Sequence, residues 1–266
     1  TIVIGGGIVG CSVAYHLAKA NHDVILLERK QLTSGTTWHA AGLVSQFHGF
    51  PCITRLACYG IELMQQLEAE TGQATGFKRV GATAVAMNEA RCEELRRRKD
   101  VALGQGIRVQ SLSIDELQAQ WPLLNPDGIL EAIHFPDDGQ TNSIDTTMAI
   151  AKGARMAGAK IFENTEVIRV IIENETAVGV ETEQGIIRAD NVVNCTGIWG
   201  QSFAAASNTQ LPIQHNQHFY IVSDPIPELT QKLTDPTPVL RIYDEQAYYK
   251  EDAGKLMIGF AELNGM

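Results

Sequence analysis

The opening ten residues, Thr1-Ile-Val-Ile-Gly5-Gly-Gly7-Ile8-Val9-Gly10, constrain this chain more than any other stretch. A short apolar run followed by glycines at 5, 7 and 10 fits a strand, a tight turn and the first turn of a helix. The first glycine permits the turn, the second lets backbone approach a pyrophosphate, and the third lets helix and strand come close. Unpaired N–H groups at the helix start would face the phosphates. Residues 11–20 continue as a helix, and Val24-Ile-Leu-Leu-Glu28 reads as a second strand ending in an acid. Glu28 lies 18 residues beyond Gly10, where a carboxylate accepts from ribose hydroxyls. This βαβ unit is a dinucleotide site, and the acid argues against a phosphorylated ribose. The pattern does not by itself choose between NAD and FAD.

A chain of 266 residues with 44% hydrophobic and 20% charged residues can bury one large core or two modest ones. A net charge of -10 without a basic block disfavours nucleic acid and anionic membrane surfaces as partners. No apolar run is long enough for a membrane span, and the opening residues do not read as a secretory leader. Five cysteines, at 11, 52, 58, 92 and 195, lack metal-ligand spacing, so no metal is expected, and their odd number fits a reducing compartment. The bacterial cytoplasm meets that condition, with the mitochondrial matrix as the eukaryotic counterpart. Both ends look cut, because Thr1 already begins a strand and residues 256–266 read as a strand and turn. A longer protein is therefore expected.

Beyond the first unit, residues 29–49 form a polar, glycine-containing loop too long for an ordinary connection. Helices are predicted over 56–71, over 91–103 with Asn88 as cap, and over 143–158, whose small residues suit packing against a sheet. Strands are predicted over 81–87, 128–135, 159–162, 167–172, 190–195, 211–223 and 239–260, with a hairpin over 177–188 turning at Gln184-Gly185. The resulting fold class is α/β: an interrupted Rossmann-like FAD-binding domain with an inserted antiparallel-sheet substrate domain. The predicted division is 1–48 and 141–205 for the cofactor domain, and 49–140 and 206–266 mainly for the substrate domain and connecting helices. Nicotinamide dehydrogenases of the simple kind run through their strands with less interruption, so this organisation favours a flavin.

With Thr33-Ser34-Gly35-Thr36-Thr37-Trp38-His39-Ala40-Ala41-Gly42-Leu43-Val44 added to the fingerprint, the chain resembles the FAD-dependent amine oxidoreductases related to D-amino acid oxidase. Within them it is most similar to the dimethylglycine dehydrogenase and sarcosine dehydrogenase branch. Agreement extends through Glu68-Ala-Glu-Thr-Gly72, Trp121-Pro-Leu-Leu-Asn125, Asp137-Asp-Gly-Gln140, Val193-Asn-Cys-Thr-Gly-Ile-Trp199, Gln217-His-Phe-Tyr220 and Tyr248-Tyr249, essentially the whole chain. The resemblance implies FAD attached covalently to His39 through the flavin 8α position; a hydrogen bond from His39 to phosphate or backbone is the simpler alternative. It also implies cofactor contacts from Gly5, Gly7, Ile8, Val9, Gly10, Glu28 and Arg29, then from Ser34, Gly35, Thr36, Thr37, Ala40, Ala41, Gly42 and Leu43. Val167 is expected beside the adenine or its ribose, and Cys195, Thr196, Gly197 and Trp199 packed on the nucleotide. Cys195 reads as a buried small hydrophobe rather than a redox thiol.

The implied chemistry is hydride transfer from an N-methyl carbon of dimethylglycine, sarcosine or a related small secondary or tertiary amine to flavin N5. The protein must then supply orientation, a dry pocket and control of the amine proton. His218 and Tyr220 alternate on a predicted strand and share a face; His218 would tune the amine proton and Tyr220 would fix the substrate. Tyr249 completes the catalytic candidates. His48, Tyr248 and Arg241 are the substrate-contact candidates, Arg241 as a cation for the substrate carboxylate, although its Arg241-Ile-Tyr-Asp-Glu245 setting equally suits a surface ion pair. The electron acceptor would be an electron-transfer flavoprotein or oxygen, the latter defining an N-methyl amino acid oxidase. Tetrahydrofolate would enter one-carbon metabolism here only through a further C-terminal domain. A non-catalytic regulatory flavoprotein is the reading from another class, and His39 with the His218-Tyr220 pair speaks against it. Oligomeric state is not legible.

Overall fold

The computed structural model describes residues 1–230 and 237–260, and these divide into two compact units. The first comprises Thr1–Gly42, Leu63–Gly76 and Asn142–His215; the second comprises Leu43–Glu62, Phe77–Thr141 and Asn216–Met266. The turn read after Phe260 lies outside the described residues.

The first unit is built on four parallel strands, ordered Val192–Asn194, Ile2–Ile4, Ile25–Leu27 and Lys160–Phe162. Ile2, Val3, Ile4, Leu26 and Leu27 are buried, as expected for parallel strands covered on both faces. The helix Ile8–Lys19 starts directly from the glycine turn. On one side of the sheet Cys11, Ala14, Tyr15 and Ala18 of that helix meet Ala149, Ile150, Ala151 and Ala154 of the helix Ser143–Met156. The small residues of the second helix thus admit a neighbouring helix as well as the sheet. Leu63 and Leu67 join the same core, which draws residues 63–76 away from the substrate segment to which sequence assigned them. A three-stranded antiparallel layer, Val167–Glu173, Thr176–Thr182 and Gly185–Arg188, includes the predicted hairpin and packs Val167 and Val180 against Ile2, Ile4 and Leu27.

The second unit carries a seven-stranded sheet, ordered Phe219–Val222, Lys255–Phe260, Ala247–Asp252, Val239–Ile242, Ala82–Ala86, Glu131–Phe135 and Gln110–Leu112. It is not wholly antiparallel. Val239–Ile242 runs parallel to Ala82–Ala86, where two remote chain segments meet and no hairpin fixes their direction. One face is covered by the helix Glu89–Gly104 with Phe47, Cys92 and Leu95; the other holds Leu117 and Trp121. Asn88 caps the former helix, accepting from Arg91 N–H at 2.9 Å.

One expectation fails in detail, and one element goes unread. Residues 209–218 have no regular structure, and the strand predicted over 211–223 shrinks to Phe219–Val222. A helix at Ile114–Gln120 was not anticipated, although Ser113 and Glu116 form a reciprocal capping box that the sequence displays.

Candidate functional site

In the first unit a cleft of about 890 Å³ opens along the carboxyl ends of the parallel strands and the start of the first helix. That volume falls in the range of small-molecule and cofactor sites. Its floor is the glycine turn. Gly5 takes a φ of +106°, and a Cβ on Gly10 would stand 1.9 Å from the Gly5 carbonyl oxygen. The helix can therefore start against the strand only with no side chain at position 10. The first intrahelical bond runs from Cys11 N–H to the Gly7 carbonyl, which leaves the earlier amides without an acceptor in the helix. The Thr37 hydroxyl accepts from Ile8 N–H at 3.0 Å, so the polar loop is tied to the helix start.

Glu28 closes the second strand with both oxygens engaged by backbone. Oε2 accepts from Gly6 N–H at 2.6 Å and Oε1 from Lys30 N–H at 2.8 Å. These bonds hold the carboxylate at the cleft wall, and its remaining lone pairs are free in principle to accept ribose hydroxyls. The Arg29 guanidinium stacks on Trp199, 4.2 Å from the ring, and Gly35 lies against that ring from the loop. Val167 is buried in the wall beside Glu166 and Ile168. Cys195 is half-buried next to Gly10 and burial pushes its thiol up; in Cys11 the same cause raises the pKa to about 12. Both behave as packing residues rather than as nucleophiles.

The cleft gathers most of the predicted cofactor residues: Gly5, Gly7, Ile8, Val9, Glu28, Arg29, Ser34, Gly35, Thr36, Thr37, Ala40, Val167, Cys195, Thr196, Gly197 and Trp199 line it. Gly10 acts from beneath through its contact with Gly5. His39 ends the short 3-10 turn Thr36–His39, is exposed, and packs on Trp38 with ring centres 4.3 Å apart, outside the wall formed by its neighbours. Ala41 and Gly42 follow outside the wall, and Leu43 begins the two-residue strand Leu43–Val44, paired with Gly139–Gln140 in the second unit. Gly6, Lys30, Thr165, Phe203, Leu211 and Ile213 also line the cleft and were not singled out by sequence. Gly6 and Thr165 were adjacent to motifs; Leu211 and Ile213 carried no usable signal, because their segment read as a strand of the other unit.

A second constellation lies on one face of the seven-stranded sheet. Tyr220 pairs with Gly259, Gly259 with Tyr248, and Tyr248 with Arg241. Directly opposed residues share a face, so the two tyrosines and the arginine form a row. Gly259 makes the row compact: a Cβ there would lie 2.0 Å from Tyr248 Cζ. Burial, with the neighbouring Tyr220 phenol, raises the Tyr248 pKa, while Arg241 opposes the rise. The Arg241 guanidinium donates to Ser45 Oγ at 2.9 Å. This inward bond replaces the surface ion pair that its sequence setting allowed.

Three candidates fall outside that row. Tyr249 faces the opposite side of the sheet among Trp121, Leu240 and Ile242 and donates to Glu245 at 2.8 Å, because neighbouring strand residues alternate faces. Burial and the Glu245 carboxylate push its pKa up to about 12. His218 is exposed and immediately precedes the strand Phe219–Val222. His48 is exposed too; its backbone N–H and carbonyl both bond Thr54 Oγ1, which ties it to the start of the helix Pro51–Thr71.

A glycine-turn cleft beside an acid-terminated second strand decides the class of ligand, and comparison with known proteins agrees: residues 1–265 match the model of the family described as FAD dependent oxidoreductase. The chain belongs to that family. It is 39% identical over its whole length to 4-methylaminobutanoate oxidase (formaldehyde-forming) of Paenarthrobacter nicotinovorans, covering 32% of that protein. It is 35% identical over 97% of its length to mitochondrial dimethylglycine dehydrogenase of Homo sapiens, covering 30% of it. The chain thus spans about a third of the length of these curated relatives. Among solved structures, L-proline dehydrogenase from P. horikoshii superposes with a TM-score of 0.90 at 28% identity, covering 98% of this chain and 69% of that one. The residues present suit the family's cofactor: the Gly7 and Val9 backbone at the helix start, hydroxyls at Ser34, Thr36 and Thr37, and the acid at Glu28 line the cleft and match pyrophosphate and ribose chemistry.

Proposed function

We propose that this protein oxidises the N-methyl C–N bond of a small amine bearing a carboxylate, of the class of dimethylglycine, sarcosine and 4-methylaminobutanoate. The observation that carries the reading is the row Tyr220, Tyr248 and Arg241 on one sheet face, in a family member whose other unit holds the dinucleotide cleft. A cation at one end of the row with two phenols beyond it matches such a substrate. Arg241 pairs with the carboxylate, and the phenols of Tyr248 and Tyr220 offer hydrogen bonds and aromatic surface to the amine end. The raised pKa of Tyr248 keeps it a donor at neutral pH. His218 is assigned to take the ammonium proton, since only the neutral amine has the lone pair that expels hydride. FAD held by the glycine turn, Glu28 and the Ser34–Thr37 loop would supply the two-electron acceptor for that hydride, at N5. The oxidised C–N unit is then hydrolysed with loss of formaldehyde, or passes its carbon to tetrahydrofolate where a folate domain follows.

Retention of FAD is assigned to the first-unit cleft, with His39 as the covalent anchor. Its place at the end of the loop lined by Ser34, Thr36 and Thr37 supports this, as does its exposure to an incoming ring. Acid precipitation tests the anchor: yellow colour stays with the wild-type protein and moves to the supernatant in His39→Ala. Anaerobic mixing with dimethylglycine, sarcosine and 4-methylaminobutanoate tests the reaction. Bleaching by at least one of them is expected, and no bleaching by any would overturn the proposal. Reoxidation by oxygen in a second mixing step separates an oxidase from a dehydrogenase that passes electrons to an electron-transfer flavoprotein.

A further inference from the structure

The second unit contains a buried acid that the chemistry above does not use. Asp138 is 3% exposed, whereas its neighbour Asp137 is paired with Arg108 and lies 3.3 Å from Arg79. Asp138 Oδ1 accepts from Gln46 N–H at 2.8 Å, and the Ser45 hydroxyl and Arg241 line one small void with it. That same hydroxyl accepts from Arg241 Nη2 at 2.9 Å. A serine has one proton to give and lone pairs to receive, so the Ser45 hydroxyl, taking the guanidinium N–H, can turn its own proton toward the Asp138 carboxylate. The residues around it, including Phe47, Arg98, Phe135 and Tyr243, leave a void of only about 10 Å³. There is no room for a ligand between the three groups, and Arg241 is held from behind rather than free to swing.

We infer that Asp138 is a positioning residue: through Ser45 it aims Arg241 along the Tyr220–Tyr248 row and offsets part of its charge, thereby setting its affinity for a substrate carboxylate. The inference rests on the proposed role of Arg241 and adds the group that regulates it. Burial raises the Asp138 pKa to about 6, against the opposing effects of the Gln46 bond, Arg241 and Ser45. Charged and titratable groups face it from each packed element: Arg241 from its strand, Arg98 from the helix Glu89–Gly104, and Cys58 from the helix Pro51–Thr71. As pH falls through about 6 the offset disappears, and Arg241 should hold carboxylates more tightly.

The test uses the full-length holoprotein and isobutyrate, a carboxylate without an amine, with dissociation constants measured by calorimetry between pH 8 and 5.5. Arg241→Met should weaken binding by more than tenfold. Asp138→Asn keeps an acceptor for Ser45 but removes the charge; it should tighten binding roughly fivefold at pH 8 and abolish the pH dependence. Ser45→Ala keeps both charges but cuts the link, and should weaken binding roughly fivefold. A purely structural Asp138 would weaken binding in both variants. If Arg241→Met has no effect, the carboxylate role of Arg241 fails. If it weakens binding while Asp138→Asn and Ser45→Ala match wild type, only the present inference is overturned. Persistence of the pH dependence in Asp138→Asn would assign it to a group other than Asp138 and also overturn the inference. Should Asp138→Asn not fold, Ser45→Ala and the wild-type pH series decide.

Discussion

Replacing Gly10 by alanine sets two effects of opposite sign against each other. Alanine in a helix is favoured over glycine by about 1 kcal/mol, so propensity alone predicts a more stable protein. Against this, the added Cβ would sit 1.9 Å from the Gly5 carbonyl oxygen. An ordinary C–H···O contact is about 3.3 Å, so helix and turn must separate by about 1.4 Å. The obstacle is backbone and cannot rotate away. Overpacking of this kind costs up to about 3 kcal/mol, leaving a net loss of about 2 kcal/mol and a fall in Tm of about 4–8 °C. Because the displaced turn forms the floor of the cleft, FAD affinity should fall about a hundredfold, the usual consequence of misplacing a site by more than 1 Å. Flavin content after purification, fluorescence titration with FAD in a His39→Ala background that leaves the flavin exchangeable, and a thermal melt measure both quantities. A Gly10→Ala protein that melts within 2 °C of wild type and holds FAD within about twofold would refute the steric argument.

Gly259→Ala puts a methyl 2.0 Å from Tyr248 Cζ and must displace that ring by about 1.7 Å; KM for carboxylate-bearing amines should rise about tenfold while flavin content stays unchanged. Unaltered KM would remove Tyr248 from the substrate surface. Tyr249→Phe, on the other face of the sheet, loses only its bond to Glu245, so about 1 kcal/mol of stability should go and kcat should hold within about twofold; a large fall in kcat would restore Tyr249 to the catalytic group. Asp138 carries a stability term that depends on pH. Its pKa of about 6 lies above the ordinary 3.8, so the fold favours the protonated acid, and stability present below pH 4 is lost as pH rises through 6. Asp138→Asn should therefore gain up to about 3 kcal/mol over wild type at pH 8 and nothing at pH 4, measured by calorimetric unfolding. An equal difference at both pH values would exclude this origin.

The cofactor cleft was legible because its chemistry is local. Gly5, Gly7, Gly10 and Glu28 fall within one βαβ unit, where turn geometry and strand length fix their spacing. The loop bearing Ser34, Thr36, Thr37 and His39 announced itself by composition, although not that Thr37 would take Ile8 N–H or that His39 would stand outside the wall. The closing strand Val192–Asn194 was readable from its apolar run and following glycine, although its partner Ile2–Ile4 lies at the other end of the first unit's sequence. The strand over 211–218 was misread because alternation in a short polar segment carries little weight without a partner strand.

What the sequence determined by itself was the dinucleotide half-fold and the identity of the groups that line it, since both follow from dihedral freedom and period within a few tens of residues. What the tertiary structure decided was which candidates share a surface. Adjacent Tyr248 and Tyr249 point to opposite faces, and strand register alone joins Tyr248 to Gly259, Tyr220 and Arg241. The link from Arg241 to Ser45 and Asp138 spans remote segments in the same way. Hydrogen-bond register between distant strands is set by the packing of the whole sheet, and no local periodicity encodes it.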